Sequence, residues 1–105
     1  MIEDSDAEKA SEYLRDNAER YGQLRGHMEY TDGNLRRVKS LVMLELEGGL
    51  GDREAKAYAS EEYRLALVAR QEAVAAYETE RALREAAVYR IELYRSLNKA
   101  RGQGY

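Results

Sequence analysis

The stretch HMEYTDGNLRRV, residues 27–38, decides whether this chain begins with one long helix or with two shorter ones. Its central residues are poor helix formers and include an Asp-Gly pair that is typical of turns. A turn would normally shift the seven-residue repeat of a helix, yet the repeat continues through this stretch. One series contains Leu14, Tyr21, Met28, Leu35 and Val42, and the other contains Asn17, Leu24, Thr31, Val38 and Glu45. We therefore predict one helix with room for a bend at Gly33, and a turn at Asp32 and Gly33 is the alternative.

Start and stop signals divide the chain into two long helices. The chain has no proline, so nothing in its covalent structure prevents long helices. Ser5 with Glu8 predicts a capped start near residue 6, and Ser60 predicts a second start. The glycines of EGGLGD predict the stop between them. We expect one domain over residues 1–105, with helix 1 at about 6–47, a glycine-rich tip at 48–52, a short helical segment at 53–59 and helix 2 at about 61–101.

The two long helices carry opposite charges at the ends that an antiparallel pairing would bring together. Residues 1–19 contain seven acids and two bases, net −5, whereas residues 81–105 contain six bases and two acids, net +4. Such exposed charges are weak individually but set orientation collectively. The fold class that we predict is all-α, a long antiparallel helical hairpin resembling a coiled coil. The acidic face of helix 1 consists of Asp4, Asp6, Glu8, Glu12, Asp16 and Glu19.

Helix 2 is apolar around most of its circumference. One stripe is polar throughout and should face solvent: Arg64, Gln71, Glu78, Glu85, Glu92 and Lys99. A single partner helix covers only about 100° of such a surface. We therefore expect a homodimer in which two hairpins form a four-helix bundle.

The end of helix 1, SLVMLELEGGL, is apolar on almost every side and needs a cover. Three covers fit: the segment 53–59 folding back, a second copy of the chain, or another protein. The residues that we expect at a partner or dimer interface are Leu41, Met43, Leu44, Leu46, Leu50, Tyr58, Tyr63, Arg70, Tyr77 and Arg84. Arg70 and Arg84 should lie at its edge, paired with glutamates such as Glu80.

The composition excludes several classes of function. The chain has no cysteine and a single histidine, His27, so thiolate chemistry and multi-histidine metal sites are excluded. We predict no catalytic group, no cofactor and no enzymatic activity. The net charge of −3, with its acidic N-terminal half, disfavours direct nucleic-acid binding. Because no apolar run approaches about 20 residues and the N-terminus is acidic, we expect no membrane segment and a cytoplasmic location.

The stretches REAKAYASEEY and AAVYRIELYRSL resemble a group of small uncharacterised helical proteins encoded by tailed bacteriophages, often in the early regions for DNA recombination and replication. The resemblance covers residues 35–101, and the chain departs from it at Tyr94, where tryptophan is expected. It supplies no catalytic residues. It implies a phage accessory protein in the host-cell cytoplasm whose partner is a phage or host protein. That protein would be an adaptor in DNA recombination or replication, or an inhibitor of a host defence complex, of the CRISPR or nuclease type, that blocks a nucleic-acid or partner site.

Overall fold

The computed structural model describes residues 3–103 and is all-helical over that range. Its four helices are α1 (Asp4–Asp16), α2 (Ala18–Leu44), α3 (Leu50–Tyr58) and α4 (Glu61–Gln103). No strand occurs among these residues. The predicted all-α class is therefore confirmed.

The chain divides into two compact units, and the prediction of one domain stays a prediction. The first unit contains the described residues up to Gly22 and from Glu78 onward, and the second is Gln23–Tyr77. Helices that lie side by side contact only the stretch directly opposite, so such pairing builds local cores rather than one central core.

Within each unit the helices run antiparallel. In the first unit, Tyr94 donates a hydrogen bond to Asp4, and the Arg84 guanidinium donates one to the Leu14 carbonyl at 3.4 Å. Residues further along α1 therefore face residues earlier in α4, so the two helices run in opposite directions. In the second unit, Asp32 of α2 meets Arg70 of α4 at 2.9 Å.

Helix α2 passes through Gly33 without interruption, as the seven-residue repeat predicted. A β-carbon built at Gly33 meets no atom within 4 Å, so the site is open. Thr31, two residues earlier, is buried, and its hydroxyl donates to the Met28 carbonyl at 2.9 Å. This bond satisfies the one polar group of Thr31 without breaking the helix.

The prediction of a single helix from residue 6 to 47 was wrong at Asn17, where α1 ends and α2 begins. The Asn17 side-chain amide donates to the Tyr13 carbonyl at 3.0 Å, as does its own backbone N–H. Asparagine ends helices in this way because its short side chain competes for backbone partners.

The first start signal was also misplaced. α1 begins at Asp4, and the Glu3 backbone N–H donates to the Asp6 carboxylate at 3.0 Å. This is the reciprocal half of a capping box, formed two residues before the one expected from Ser5 and Glu8. A carboxylate at the third helical position suits the positive end of the helix dipole.

The connection between the long helices begins earlier in the chain than expected, and the short helix within it is longer than expected. α2 ends at Leu44 rather than at 47, and α3 begins at Leu50, inside the predicted tip. Gly48 has φ 113°, a conformation that favours glycine. Ser60 caps α4 as predicted, because its hydroxyl oxygen accepts the Tyr63 backbone N–H at 3.2 Å.

Apart from Glu80, the buried positions carry small side chains, and no large side chain is fully buried among the described residues. The buried apolar residues are Ala10, Ala57, Ala66, Ala73 and Ala87. Three of these alanines, with the buried Glu80, are spaced by seven residues along α4. The predicted solvent stripe of α4 is exposed at each of its six positions. The helices therefore pair through alanine, and most large apolar side chains lie nearer the surface.

Candidate interaction site

Large apolar side chains are exposed on every helix except α1. They are Tyr30, Leu41, Leu44, Leu50, Tyr58, Leu65, Leu67, Val68, Leu83, Val88, Tyr89 and Leu93. Single exposed apolar residues are ordinary, but several on neighbouring turns indicate a surface that binds something. These residues make the apolar surface the leading candidate for a functional site.

The end of α2 and the start of α3 expose a group of leucines in the second unit. Leu44 is 78% exposed, and Leu41 and Leu50 are exposed beside the turn. Leu46, in the turn itself, is half-buried, and its backbone N–H donates to the Met43 carbonyl at 3.1 Å. Four of the predicted interface residues thus keep much of their side-chain surface available to a partner.

Helix α3 covers one side of this end. The rings of Tyr58 and Tyr63 meet edge to face, with centroids 5.2 Å apart. Lys39 lies 4.6 Å from the Tyr58 ring centroid and donates to Glu54 at 2.7 Å. The Lys39 contacts hold α3 against α2, and the ring contact holds it against α4. The hydrogen bond that Lys39 donates to Glu54 raises the pKa of Lys39.

The side that α3 covers contains a concavity of about 510 Å³. Met43, Tyr58 and Tyr63 line it together, so the structure brings these three predicted residues to one place. Leu41 lies elsewhere, in a second concavity with Val38. The segment after the tip therefore covers part of the apolar end and leaves the rest exposed.

The expected pairing of Arg70 with a glutamate was wrong. Its guanidinium donates to Asp32 at 2.9 Å instead. Both side chains are about half exposed, so the pair contributes little to stability. Tyr77, also predicted at the interface, is half-buried in the same unit.

Arg84 belongs to the first unit and does not pair with Glu80 either. Its guanidinium lies 4.6 Å from the centroid of the Tyr21 ring and donates to the Leu14 carbonyl. A guanidinium stacked on an aromatic ring gains cation–π attraction and covers the ring with its planar group. Arg84 is half-buried in this arrangement.

Glu80 has a partner that the sequence did not predict. It is only 5% exposed, and its Oε1 atom accepts the Tyr13 hydroxyl at 2.9 Å. Burial, together with this hydrogen bond to a carboxylate, raises the pKa of Tyr13. The available signal was the position of Glu80 in the seven-residue series of alanines, which places it in the seam.

The acidic face predicted on helix 1 is partly engaged within the chain. Asp4 accepts the Tyr94 hydroxyl, Asp6 accepts the Glu3 N–H, and Asp16 lies 3.3 Å from Arg15. Glu8, Glu12 and Glu19 are exposed. Five of the six side chains, all except Asp6, are exposed, so the acidic face remains open to solvent even where it makes these contacts.

Two of these acids line a groove in the first unit. Glu8 and Glu12 lie beside Arg15 and Arg95 in a concavity of about 540 Å³. Because positive and negative side chains both line the groove, its electrostatic potential is not strongly negative.

Metal and membrane sites find no support in the residues described. No group of three or more His, Cys, Asp or Glu side chains in residues 3–103 is placed to hold a metal ion. Over the same residues, no helix has both the length and the apolar content that crossing a bilayer requires.

Comparison of the chain with protein-family models, with curated proteins and with solved structures found no match. The geometry of its surfaces is therefore the basis for assigning a function.

Proposed function

We propose that this chain is a non-enzymatic accessory protein that acts by binding another protein, as an adaptor in phage DNA recombination or replication. The observation that carries the protein-binding role is the exposure of Leu41, Leu44 and Leu50 around one helix end. Fully burying a side chain of this size gains about 1.5–3 kcal/mol, and these three keep 47–78% of their surface exposed, so together they can contribute much of the free energy of binding a partner. The phage setting is supported by the resemblance of residues 35–101.

We further propose that a second copy of the chain covers part of this surface, so that two molecules form a four-helix bundle. Leu65, Val68 and Leu83 of α4 are exposed although their helix already pairs with another. A helix that is apolar on two sides is typical of a bundle in which each helix has two neighbours.

The adaptor role is tested by affinity purification of the tagged chain from infected cells, followed by mass spectrometry. The informative comparison is between the wild type and the variant Leu44→Glu/Leu50→Glu, in which both substituted positions are exposed. The control variant Gln71→Glu/Gln23→Glu adds the same charge at exposed polar positions. A partner that the wild type and the control retain and the leucine variant loses supports the proposal. A partner that all three capture equally contradicts it.

The second candidate function is inhibition of a host defence complex, of the CRISPR or nuclease type. The observation that favours it is the exposure of Glu8 and Glu12 on α1, where carboxylates could occupy a site that binds phosphates. In a competition assay, the inhibitor displaces DNA or RNA from the defence nuclease, and Glu8→Gln/Glu12→Gln weakens that displacement. An adaptor that leaves nucleic acid bound contradicts this second role.

A further inference from the structure

A concavity of about 240 Å³ lies between α2 and α4 in the second unit. Its lining from α2 is Val38, Leu41 and Val42, which recur at the three- and four-residue spacing of one helix face. α3 contributes no residue to this lining. The short helix that covers the neighbouring concavity therefore takes no part in this one, which we call the α2–α4 groove.

The floor of the α2–α4 groove keeps apolar surface in contact with water. Leu41 is 47% exposed, and Val38 and Val42 beside it are half-buried. Pockets that enclose small molecules usually measure about 300–1,000 Å³, so this concavity is small for such a ligand. It is suited instead to one or two apolar side chains that project from a larger partner.

A groove between two antiparallel helices has a shape that a third helix fits. The side chains of a helix form ridges, and these pack into the grooves of its neighbours. A helix also satisfies its own backbone hydrogen bonds. An extended segment would bury unpaired N–H and carbonyl groups in the α2–α4 groove, because helices offer it no strand edge to join. The partner element that the groove favours is therefore an amphipathic helix.

Two acidic side chains at one end of the groove have no cationic partner in the chain. Glu45 and Glu62 both line the concavity, and both are exposed. Within the described residues neither takes part in an ion pair, whereas Glu54 and Glu61 do. Like charges beside one concavity repel each other, and a cation placed between them relieves that repulsion. The two glutamates therefore favour a partner with Lys or Arg at this point.

The end of α2 adds to the negative potential there. α2 ends at Leu44, directly before Glu45, and its last turn contains no basic residue. The carbonyl groups at the end of a helix carry partial negative charge and favour a nearby cation. Arg37, the nearest exposed basic residue of α2, lies about two turns before Glu45. A cation of the partner therefore belongs at the Glu45 end of the groove.

We propose that the α2–α4 groove binds an amphipathic helix of another protein. Its apolar side chains pack on Val38, Leu41 and Val42, and its Lys or Arg lies between Glu45 and Glu62. All of these residues belong to the second unit. The inference rests on the proposed protein-binding function and specifies the chemistry of the partner.

Two labelled peptides of about 18 residues, long enough to form a helix, serve as probes. Both carry leucine at positions i, i+3, i+4 and i+7. The Lys peptide has lysine on both flanks of this apolar stripe, and the Glu peptide has glutamate at the same positions. Fluorescence anisotropy with the full chain gives a dissociation constant for each. We expect the wild type to bind the Lys peptide at least about tenfold more tightly, because like charges beside an apolar contact oppose binding.

Variants of the full chain test the groove itself, and circular dichroism confirms that each remains helical. Glu45→Lys/Glu62→Lys should reverse the preference, so that the Glu peptide binds more tightly. Leu41→Ser keeps every charge and should weaken binding of the Lys peptide about three- to tenfold, because nearly half of the leucine side chain remains to be buried. The control Glu85→Lys/Glu92→Lys changes the net charge equally at exposed positions of the first unit and should keep the preference of the wild type.

Equal binding of the two peptides, or binding of neither, would overturn the inference. An unchanged affinity of Leu41→Ser would do the same, because it would mean that net charge alone holds the Lys peptide. Sedimentation equilibrium tests a second copy of the chain as the occupant. If the wild type is a dimer and Glu45→Lys/Glu62→Lys is a monomer near 12.0 kDa, a second copy fills the groove and the proposed partner is wrong. Capture of a partner through Leu44 and Leu50 remains a separate measurement of the adaptor role.

Discussion

Replacing Tyr13 with phenylalanine removes one oxygen atom, which donates the 2.9 Å hydrogen bond to Glu80. The ring remains, so the apolar contacts of Tyr13 are kept. Glu80 loses the donor while it stays in a seam where it is only 5% exposed. The substitution therefore isolates the effect of leaving a buried carboxyl group without this partner.

The magnitude follows from the chemistry of the pair. A hydrogen bond to a charged group contributes about 1.5–3 kcal/mol, and little water reaches Glu80 to replace it. For a chain of about 100 residues, that loss lowers the midpoint of thermal unfolding by about 6–15 °C. Replacing both partners, with Tyr13→Phe and Glu80→Leu together, should bring stability back to within about 1 kcal/mol of the wild type, because no buried polar group is then left unpaired.

The assay is thermal and urea unfolding followed by circular dichroism at one fixed protein concentration, since association shifts the midpoint. Tyr30→Phe is the matched control, because Tyr30 is exposed and should change stability by less than about 0.5 kcal/mol. If Tyr13→Phe costs no more than Tyr30→Phe, or if the effects of Tyr13→Phe and Glu80→Leu simply add, the pair is not a buried, coupled contact and the reasoning is wrong.

Three other predictions concern stability. Gly33→Ala should stabilise the protein by a few tenths to about 1 kcal/mol in urea unfolding, because the site is helical and open. Gly48→Ala should destabilise it, because φ is 113° there. Equal effects of the two substitutions would contradict these conformations. Ser60→Ala should cost about 1 kcal/mol through loss of the cap, and an unchanged urea midpoint would show that the cap is dispensable. Tyr13 and Lys39 both have raised pKa values in the folded state, so the stability they contribute is present below about pH 10 and is lost as pH rises further. In thermal unfolding measured between about pH 8 and 11, Tyr13→Phe should lose less stability with rising pH than the wild type does. An unchanged dependence on pH would contradict this prediction.

The helical architecture could be predicted because the information is local. A seven-residue repeat that keeps its phase at five successive positions indicates helix at Gly33 whatever lies across from it, which is why Gly33 was placed correctly. Asn17 could not be placed in the same way. Asparagine is tolerated in helices, and the break depends on whether its amide reaches the Tyr13 carbonyl, a choice that the repeat does not encode.

Contacts between helices were harder to predict than the helices themselves. The repeat places Arg70 and Arg84 at an interface edge of α4, but it does not fix which residues of the facing helix lie opposite. Arg70 meets an aspartate and Arg84 a tyrosine ring where glutamate was expected. A long flexible side chain reaches several positions, so its partner depends on the longitudinal offset of two helices, and that offset is set by packing rather than by sequence spacing.

The alanine seam links the stability of this chain to what binds it. Burying an alanine methyl group gains only about 0.8 kcal/mol, whereas fully burying a leucine gains about 1.5–3 kcal/mol, and the exposed leucines of α4 have gained only about half of this. Covering Leu65, Leu83 and Leu93 therefore adds more apolar burial per residue than closing the seam at Ala66, Ala73 or Ala87. Any partner that covers those leucines binds the folded chain and not the unfolded one, so folding and association draw on the same free energy. A seam of large side chains would leave less apolar surface exposed, whereas alanine at the seam leaves the large side chains where the proposed partner would cover them.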